Sequence, residues 1–301
     1  MKFKEKIITQ QLITRNIHNF FLKNGFYPMN NPKIVPFIDD ELEHLIKVKI
    51  LGRDNEKLFL SRSPQLYKEI AALESINSKV YEVGPVFRGE LVCNNRRANE
   101  FLGLDVEIRT NSLEDVIEIL SKFVLDIQHD DILINYIKSI NNNIIKVPNQ
   151  IVPITYSEAL KRLKSKRIDS KEEKELSRII RKEEQNENIW VLLTEFPVDE
   201  RGFYQINSNK ISNCFDLIAD WEICSGGLRR IDINEYSKFL ESIGWTTDTF
   251  KEYFKIKSEY KNINTGGFGI GIERLTGSLL GNINIAEIQP YLRIPGVEIT
   301  F

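Results

Sequence analysis

Two runs of alternating residue types, joined by a polar loop with adjacent arginines, constrain this chain more than any other feature of its sequence. They lie in segment 80–108, where alternation along an extended strand places every second side chain on the same face. That face would carry Glu82, Gly84, Val86, Arg88 and Glu90 on the first strand, and Phe101, Gly103, Asp105 and Glu107 on the second. Cations, carboxylates and a single aromatic ring are not typical of a hydrophobic core. They indicate a site for a charged, flat ligand, because the arginine fork binds phosphate and an aromatic ring stacks on a nucleobase.

The bulk composition is that of an ordinary globular protein and argues against several classes of function. Hydrophobic residues make up 42% and charged residues 28% of the 301 residues. The 41 Lys and Arg against 43 Asp and Glu give a net charge of −2, so no overall positive field favours a polyanion. Three cysteines and three histidines favour neither a disulfide framework nor a zinc site. No apolar run has the length of a signal-peptide core or a membrane span, and we expect a cytoplasmic protein.

Segment 80–108 resembles motif 2 of the class II aminoacyl-tRNA synthetases, in the aspartyl, asparaginyl and lysyl subgroup. The resemblance is carried by Phe87-Arg88-Gly89-Glu90, by Arg96-Arg97, by Glu100-Phe101 and by Leu104-Asp105-Val106-Glu107. Residues 266–274 (GGFGIGIER) are similar to motif 3, a glycine-rich run that closes on an arginine. Residues 14–36 are similar to motif 1, the helix and strand that form the dimer in this family. The three motifs occur in the family's order, and the resemblance covers nearly the whole chain.

The resemblance implies an α+β fold, with an antiparallel sheet of six to seven strands flanked by helices and a homodimer formed through motif 1. We expect a single class II catalytic domain over residues 1–301, with a charged, solvated helical insertion at about 141–188 for which a specific partner-binding arm is the alternative. Apolar spacing also predicts a helix from Phe3 to Lys23 and another over 112–130. Short apolar runs predict strands at 58–60, 190–194, 215–218 and 221–223. Motif 1 begins close to the first residue, and we therefore expect that no anticodon-binding domain precedes it.

The family's ATP-binding residues carry over to this chain position by position. The implied set is Arg88, Glu90, Arg97, Phe101, Gly271 and Arg274. Arg88 and Arg274 are the implied catalytic residues: fixed guanidinium groups stabilise negative charge that moves through a phosphoryl group during adenylation. Phe101 and Arg274 would sandwich the adenine, Glu90 would accept a hydrogen bond from its amino group, and Arg97 would contact the terminal phosphates. Asp216 and Glu222 match the positions that hold Mg²⁺, a cation that prefers carboxylates, phosphate oxygens and water.

The implied amino-acid pocket contains Gln65, Lys68, Asp105 and Arg229. Lys68 and Arg229 match cations of the aspartyl enzymes, and two cations around a small pocket favour an anionic side chain over an amide. Asp105 and Gln65 would hold the amino group. Two features depart from the aspartyl pattern: Phe268 in the glycine run is common in asparaginyl enzymes, and the loop that closes over aspartate corresponds here to a charged segment, 39–44.

The resemblance therefore predicts a ligase that uses ATP and Mg²⁺ to convert aspartate into aspartyl-adenylate. Archaeal asparagine synthetase-like proteins, which are paralogues of aspartyl-tRNA synthetase, are the most similar group in this interpretation, and they pass the activated aspartate to ammonia. Two alternatives stay open. One is a truncated aspartyl- or asparaginyl-tRNA synthetase-like enzyme that charges tRNA or another acceptor, and the other is a non-catalytic paralogue that binds amino acid.

Overall fold

The computed structural model describes residues 1–36, 45–92, 96–140, 146–198, 211–229, 233–242, 247–260, 262–281 and 284–299. In these ranges the helices are α1 (Phe3–Lys23), α2 (Gln65–Glu74), α3 (Leu113–Asp126), α4 (Asp131–Ile140), α5 (Tyr156–Leu163), α6 (Ser170–Glu184), α7 (Ile233–Ser242), α8 (Lys251–Glu259), α9 (Ile272–Leu279) and α10 (Ile285–Ile288). The strands are β1 (Tyr27–Pro28), β2 (Ile34–Val35), β3 (Lys47–Val48), β4 (Leu58–Leu60), β5 (Lys79–Phe87), β6 (Glu100–Arg109), β7 (Gln150–Thr155), β8 (Ile189–Thr194), β9 (Cys214–Ile218), β10 (Glu222–Arg229) and β11 (Thr265–Gly271). None of the helices within these ranges has the length and apolar character needed to cross a membrane.

The main sheet has eight strands in the order β1-β5-β6-β11-β10-β9-β8-β7. Pairing is antiparallel from β5 to β8, whereas β1 pairs with β5 and β7 with β8 in parallel. The predicted sheet of six to seven antiparallel strands is therefore corrected to an eight-stranded mixed sheet. The two parallel strands lie at the edges, where β1 is only two residues long and β7 carries Pro153, which lacks a backbone N–H for a ladder. Neither strand has a clear period-2 pattern in the sequence.

The long elements follow their sequence patterns closely. The helix predicted from Phe3 to Lys23 is confirmed, and it ends where Gly25 adopts a φ of +78°, a conformation that glycine reaches without strain. The helix predicted over 112–130 is confirmed as α3 up to Asp126, and a 3-10 turn, Ile127–His129, follows it. The Ser112 hydroxyl caps α3 by accepting a hydrogen bond from the backbone N–H of Asp115. The strands predicted at 58–60, 190–194, 215–218 and 221–223 are confirmed as β4, β8, β9 and the start of β10.

The sheet separates two hydrophobic clusters. The larger cluster contains side chains of α1, α3, α4 and α9 packed on one face, with Phe268 and Ile270 of β11 among them. The smaller cluster contains side chains of α5 and α6 packed against β7, β8 and β9. Segment 146–188 contains the helices α5 and α6. It also contributes an edge strand of the main sheet and a helix, α6, whose side chains Leu176, Ser177, Ile180 and Arg181 are buried.

Candidate active site

A cavity of about 200 Å³ opens on the sheet face that carries the alternating residues of β5 and β6. The predicted site residues that line it are Gln65, Lys68, Arg88, Glu90, Arg97, Phe101, Asp105, Glu222, Arg229, Gly271 and Arg274. Asp216 is the predicted site residue that does not reach the lining. The sequence therefore identified residues that the fold brings together from three strands, two helices and the loop between β5 and β6.

The strand register explains how these residues meet. Asp105 of β6, Gly269 of β11, Ser225 of β10 and Asp216 of β9 are successive cross-strand partners, so their side chains belong to one row on one face. Asp216 thus shares the cavity's face even though it lies beyond the cavity's edge. The β11 positions in this face are glycines and Thr265, and the floor beneath the ligand space is therefore almost bare backbone. Phe268 lies on the opposite face, buried in the larger cluster, and does not contact the cavity directly.

One end of the cavity contains a buried network of opposite charges. Lys68 Nζ donates to Asp105 Oδ1 at 3.0 Å and lies 3.6 Å from Glu107 Oε2. Arg229 Nε lies 3.4 Å from Glu107 Oε1. Burial raises the pKa of Glu107, and the charges of Arg229 and Lys68 oppose that rise. We take Glu107 to be ionised, because two cations contact it and leaving both unpaired in the interior would be costly.

Glu107 is a residue of this site to which the sequence analysis gave no role. It belongs to the alternating set that first indicated a ligand site, so the signal was present. Its task became visible only through its contacts: it is completely buried and lies between the two cations that were expected to select the substrate.

At the same end of the cavity, Gln65 is held by polar contacts to residues that do not line the cavity themselves. Gln65 Nε2 donates to Glu69 Oε1 at 2.8 Å, and the Tyr253 hydroxyl donates to Glu69 Oε2 at 2.8 Å. Lys257 Nζ lies 3.3 Å from the same oxygen. Burial, and then the charge of Glu69, raise the pKa of the Tyr253 phenol well above its ordinary value, so this hydroxyl stays a donor. The orientation of Gln65 is therefore set by α8, a helix that is distant in sequence.

The other end of the cavity contains Arg88. Its guanidinium carbon lies 5.4 Å from the centre of the Phe101 ring. Burial and the nearby charge of Arg274 lower its pKa. Among the described residues no carboxylate lies within ion-pair distance of its side chain, and its buried Nε has no hydrogen-bond partner. A partly buried guanidinium whose enclosed Nε lacks a partner indicates that an anionic group of a ligand binds here.

Arg274 is held mainly by backbone carbonyl groups. Its Nη1 donates to the carbonyl oxygen of Glu222 at 3.1 Å, and its Nε donates to the carbonyl oxygen of Arg96 at 3.3 Å. The Glu222 carboxylate is 3.6 Å from Nη1. These contacts leave the positive charge of Arg274 only partly neutralised, and its guanidinium lines the same cavity as Arg88.

Glu90 and Arg97 form an ion pair at the mouth of the cavity, with Arg97 Nη1 donating to Glu90 Oε2 at 2.8 Å. The Arg97 side chain is half exposed. Glu90 was expected to accept a hydrogen bond from an adenine amino group, and a carboxylate oxygen can accept from both donors at once. The segment 39–44, expected to form a loop over the amino acid, lies outside the described residues.

Two more carboxylates that the sequence analysis missed support the site. Glu173 of α6 accepts hydrogen bonds from Arg96 Nη1 and from the backbone N–H of Glu222, each at 3.0 Å. Glu273 of α9 accepts from the backbone N–H of Leu102 at 3.2 Å, and burial raises its pKa to about 7. Glu273 follows the glycine run directly, whereas nothing in the charged sequence around Glu173 distinguishes it from its neighbours.

The predicted metal-binding pair comes from neighbouring strands joined by a short turn. Asp216 lies in β9 and Glu222 begins β10, with an irregularity in the register between Glu222 and Cys224. Both carboxylates lie near the buried Cys224 thiol. Burial, and then the negative charges of Asp216 and Glu222, raise the pKa of that thiol. The described residues contain no group of three or more metal-binding side chains. Two carboxylates fit a cation such as Mg²⁺, which takes its other ligands from phosphate oxygens and water.

Comparison with known proteins places this geometry in a family. The chain matches the family described as tRNA synthetases class II (D, K and N) over residues 1–294. The aspartate–tRNA(Asp) ligase of Picrophilus torridus is 31% identical over 301 residues, an alignment that covers 94% of this chain and 67% of the ligase. The enzyme of the same name from Pyrococcus furiosus is 31% identical over 300 residues, covering 92% and 65%. The chain spans about two thirds of the length of these curated relatives.

Solved structures show the same fold. The asparaginyl-tRNA synthetase of Pyrococcus horikoshii complexed with asparaginyl-adenylate superposes with a TM-score of 0.84 at 20% identity, covering 99% of this chain and 70% of that one. The aspartyl-tRNA synthetase of Entamoeba histolytica superposes with a TM-score of 0.78 at 26% identity, covering 98% and 59%. The predicted α+β core of class II synthetases is confirmed.

Proposed function

This chain belongs to the class II tRNA synthetases of the D, K and N group, and we propose that it is a ligase that activates aspartate with ATP and passes the aspartyl group to ammonia. The observation that carries the proposal is the charge arrangement at the two ends of the cavity. One end contains Arg88, a partly buried arginine without an ion-pair partner among the described residues, and the other contains four charges in close contact.

The charges at the amino-acid end match aspartate better than asparagine. Lys68 and Arg229 contribute +2, and Asp105 and Glu107 contribute −2. Once Asp105 pairs with the ammonium group of a bound amino acid, the remaining three groups sum to +1. A second carboxylate of the ligand neutralises that charge, and a neutral amide does not. Since unpaired buried charge is costly, the difference favours aspartate.

The other end of the cavity supports binding of ATP and the first chemical step. Arg88 would contact the α-phosphate and the reacting carboxylate of aspartate, and Arg274 with Phe101 would enclose the adenine. A carboxylate oxygen of aspartate attacks the α-phosphorus, the bond to the β-phosphate oxygen breaks, and pyrophosphate leaves. Both guanidinium groups are already fixed when charge moves onto the phosphoryl oxygens, and they therefore stabilise the transition state without reorganising.

Asp216 and Glu222 would hold Mg²⁺ beside the phosphates. Bound Mg²⁺ supplies positive charge that neutralises the phosphate oxygens and helps pyrophosphate to leave. The 3.6 Å contact between Glu222 and Arg274 is loose enough for the carboxylate to serve the cation, since the arginine is also held by two carbonyl groups.

Ammonia is the proposed acceptor. Neutral ammonia attacks the acyl carbon of the aspartyl-adenylate, the bond from that carbon to the phosphate oxygen breaks, AMP leaves, and the nitrogen loses one proton to solvent. The product is asparagine when the side-chain carboxylate was the one activated. Two observations support a small acceptor over a nucleic acid. The net charge is −2, and the exposed side chains Leu91 and Val92 in the loop after β5 are apolar where a polyanion would favour cations.

Transfer to tRNA is the second candidate, because the curated relatives are named as ligases for aspartate and tRNA. The reaction in that case also begins with an aspartyl-adenylate, but the adenylate forms on the backbone carboxylate of aspartate and not on its side-chain carboxylate. The two candidates therefore make the same demands on Arg88, Arg274 and the ATP site.

The decisive experiment incubates the protein with ATP, Mg²⁺, aspartate and ammonium, with and without tRNA, and analyses the products by mass spectrometry. We expect asparagine, AMP and pyrophosphate without tRNA, at a rate that rises with pH as the fraction of neutral ammonia increases. Aspartyl-tRNA in place of asparagine would establish the second candidate. Binding of ATP and aspartate without either product would favour a non-catalytic amino-acid-binding paralogue.

A further inference from the structure

Helix α6 has the sequence of an exposed, charged helix, yet it touches the site at one residue. Glu173, in its first turn, is the contact: its Oε2 accepts from Arg96 Nη1 and from the backbone N–H of Glu222, each at 3.0 Å. The Glu173 side chain is only 16% exposed, whereas Glu175 in the same helix is 45% exposed and pairs with Arg178. The inward carboxylate therefore differs from its neighbours in the helix.

The contacts of Glu173 close a ring through Arg274. Arg274 donates to the carbonyl oxygens of Arg96 and Glu222, and Glu173 accepts from the side chain of Arg96 and from the N–H of Glu222. Each residue that holds Arg274 is thus itself held by Glu173. A shift of either residue would change the position of the guanidinium group.

The helix that carries Glu173 is fixed independently. Arg181, two turns further along α6, is buried and bonds to the Asp220 carboxylate and to the carbonyl oxygen of Ala219 in the turn between β9 and β10. Its Nε also donates to the carbonyl oxygen of Ile189 at 3.1 Å. The helix is therefore attached at two points to the turn that joins Asp216 to Glu222, and Glu173 is held in one orientation.

We propose that Glu173 is a positioning residue of the ATP site, which sets the orientation of Arg274 through Arg96 and Glu222. This inference rests on the proposed function, because it gives α6 a role in binding ATP. It does not require Glu173 to touch the nucleotide. Loss of the carboxylate should therefore weaken ATP binding and leave aspartate binding unchanged, since the amino-acid end of the cavity is built from α2, α8, β6 and the far end of β10, where Arg229 lies.

The test compares Glu173→Ala, Glu173→Gln and the matched control Glu175→Ala. Calorimetry with Mg²⁺ and the non-hydrolysable analogue α,β-methylene-ATP gives the nucleotide affinity, and a second titration gives the affinity for aspartate. We expect Glu173→Ala to weaken the analogue about tenfold, the loss typical of one or two hydrogen bonds. Glu173→Gln keeps an acceptor for the Glu222 N–H and should lose about threefold. Glu175→Ala and the aspartate affinities should change less than about twofold.

A double-mutant cycle separates positioning from general damage. In the Arg274→Ala background, Glu173→Ala should cause no further loss of nucleotide affinity, because the group that it positions is gone. Equal losses in both backgrounds, unchanged nucleotide binding by Glu173→Ala, or parallel losses for nucleotide and aspartate would each overturn the inference. Failure of the wild-type protein to bind the analogue would instead overturn the proposed function, and this inference with it.

Discussion

Arg229 and Glu107 form a buried ion pair that reaches across β11, with Arg229 Nε 3.4 Å from Glu107 Oε1. The strand between them contributes Gly267, whose carbonyl oxygen accepts a hydrogen bond from Arg229 Nη2 at 3.2 Å. The pair is possible because Gly267 has no side chain: a Cβ there would lie 2.2 Å from Glu107 Oε2 and 2.0 Å from the carbonyl oxygen of Val106. The glycine run of motif 3 thus makes room for protein charges as well as for a ligand.

Gly267→Ala should therefore be far more damaging than Gly269→Ala. A Cβ at Gly269 would meet Asp105 Oδ1 at 3.4 Å, a separation that a small shift accommodates. We expect Gly267→Ala to lower the free energy of unfolding by about 3 kcal/mol or to prevent folding, and Gly269→Ala to lower it by less than about 1 kcal/mol. Denaturant titration of both variants measures the difference, and equal stabilities would contradict the close approach.

Lys68→Leu should weaken aspartate much more than ATP. The substitution leaves Asp105 and Glu107 with one cation fewer and removes a partner of the substrate carboxylate. We expect the dissociation constant for aspartate to rise at least thirtyfold, roughly 2 kcal/mol, and that for ATP to change little. Calorimetry below the melting temperature gives both values. Lys146→Leu, which removes a cation paired with Asp220 outside the cavity, is the matched control; comparable losses for both ligands in Lys68→Leu would assign Lys68 a structural role.

Arg88→Ala and Arg274→Ala should each abolish adenylate formation. Each substitution removes a fixed cation from the transition state and should cost about 3 kcal/mol or more, over a hundredfold in rate. Exchange of labelled pyrophosphate into ATP in the presence of aspartate measures this step alone. Near-normal exchange by either folded variant would exclude the class II mechanism for this chain.

The stability of the fold should depend on the protonation of Glu273. Burial raises its pKa from 4.5 to about 7, so the folded state binds this proton more tightly than the unfolded chain does. The stabilisation by the neutral form is complete below about pH 4.5 and is lost as the pH rises through about 7. Glu273→Gln, which imitates the neutral form, should raise the melting temperature relative to wild type at pH 8 by more than at pH 5. The corresponding gain in the free energy of unfolding at pH 8 should be at most on the order of 3 kcal/mol. A difference that does not vary with pH would argue against this protonation.

Association through motif 1 stays a prediction. Leu22, Tyr27 and Ile34 expose 54%, 45% and 45% of their surface, and a second copy of the chain would cover such apolar side chains in a dimer. We expect sedimentation at micromolar concentration to give a dimer, and Leu22→Lys to shift the equilibrium toward monomer. Leu91→Lys, at an 82% exposed apolar residue in the loop after β5, should leave the dimer intact. A stable, active wild-type monomer would refute the prediction.

The lining residues of α2, β10, β11 and α9 were implied by the resemblance to a family, whereas the sheet face on which the cavity lies followed from the sequence by itself. This was possible because strands have a period of two, and alternation in β5 and β6 assigns each side chain to a face without knowledge of any other element. The motifs also hold their residues within short segments, so Arg88 and Phe101 reach the site together. The boundaries of α1 followed in the same way from its apolar spacing and from Gly25.

Only the tertiary structure decided which charged residues from outside the sequence motifs contact the site. Glu173 and Glu175 are both carboxylates in one charged helix, and the helix turn that faces the sheet is fixed by the packing of Leu176 and Ile180 on distant strands. The pairing of Glu107 with Arg229, and the raised pKa of Glu273, likewise depend on neighbours and burial that arise when the chain closes. The two parallel edge strands, β1 and β7, could not be predicted from the sequence, because β1 is too short to show a period and Pro153 interrupts β7. Only their pairing with distant strands places them in the sheet.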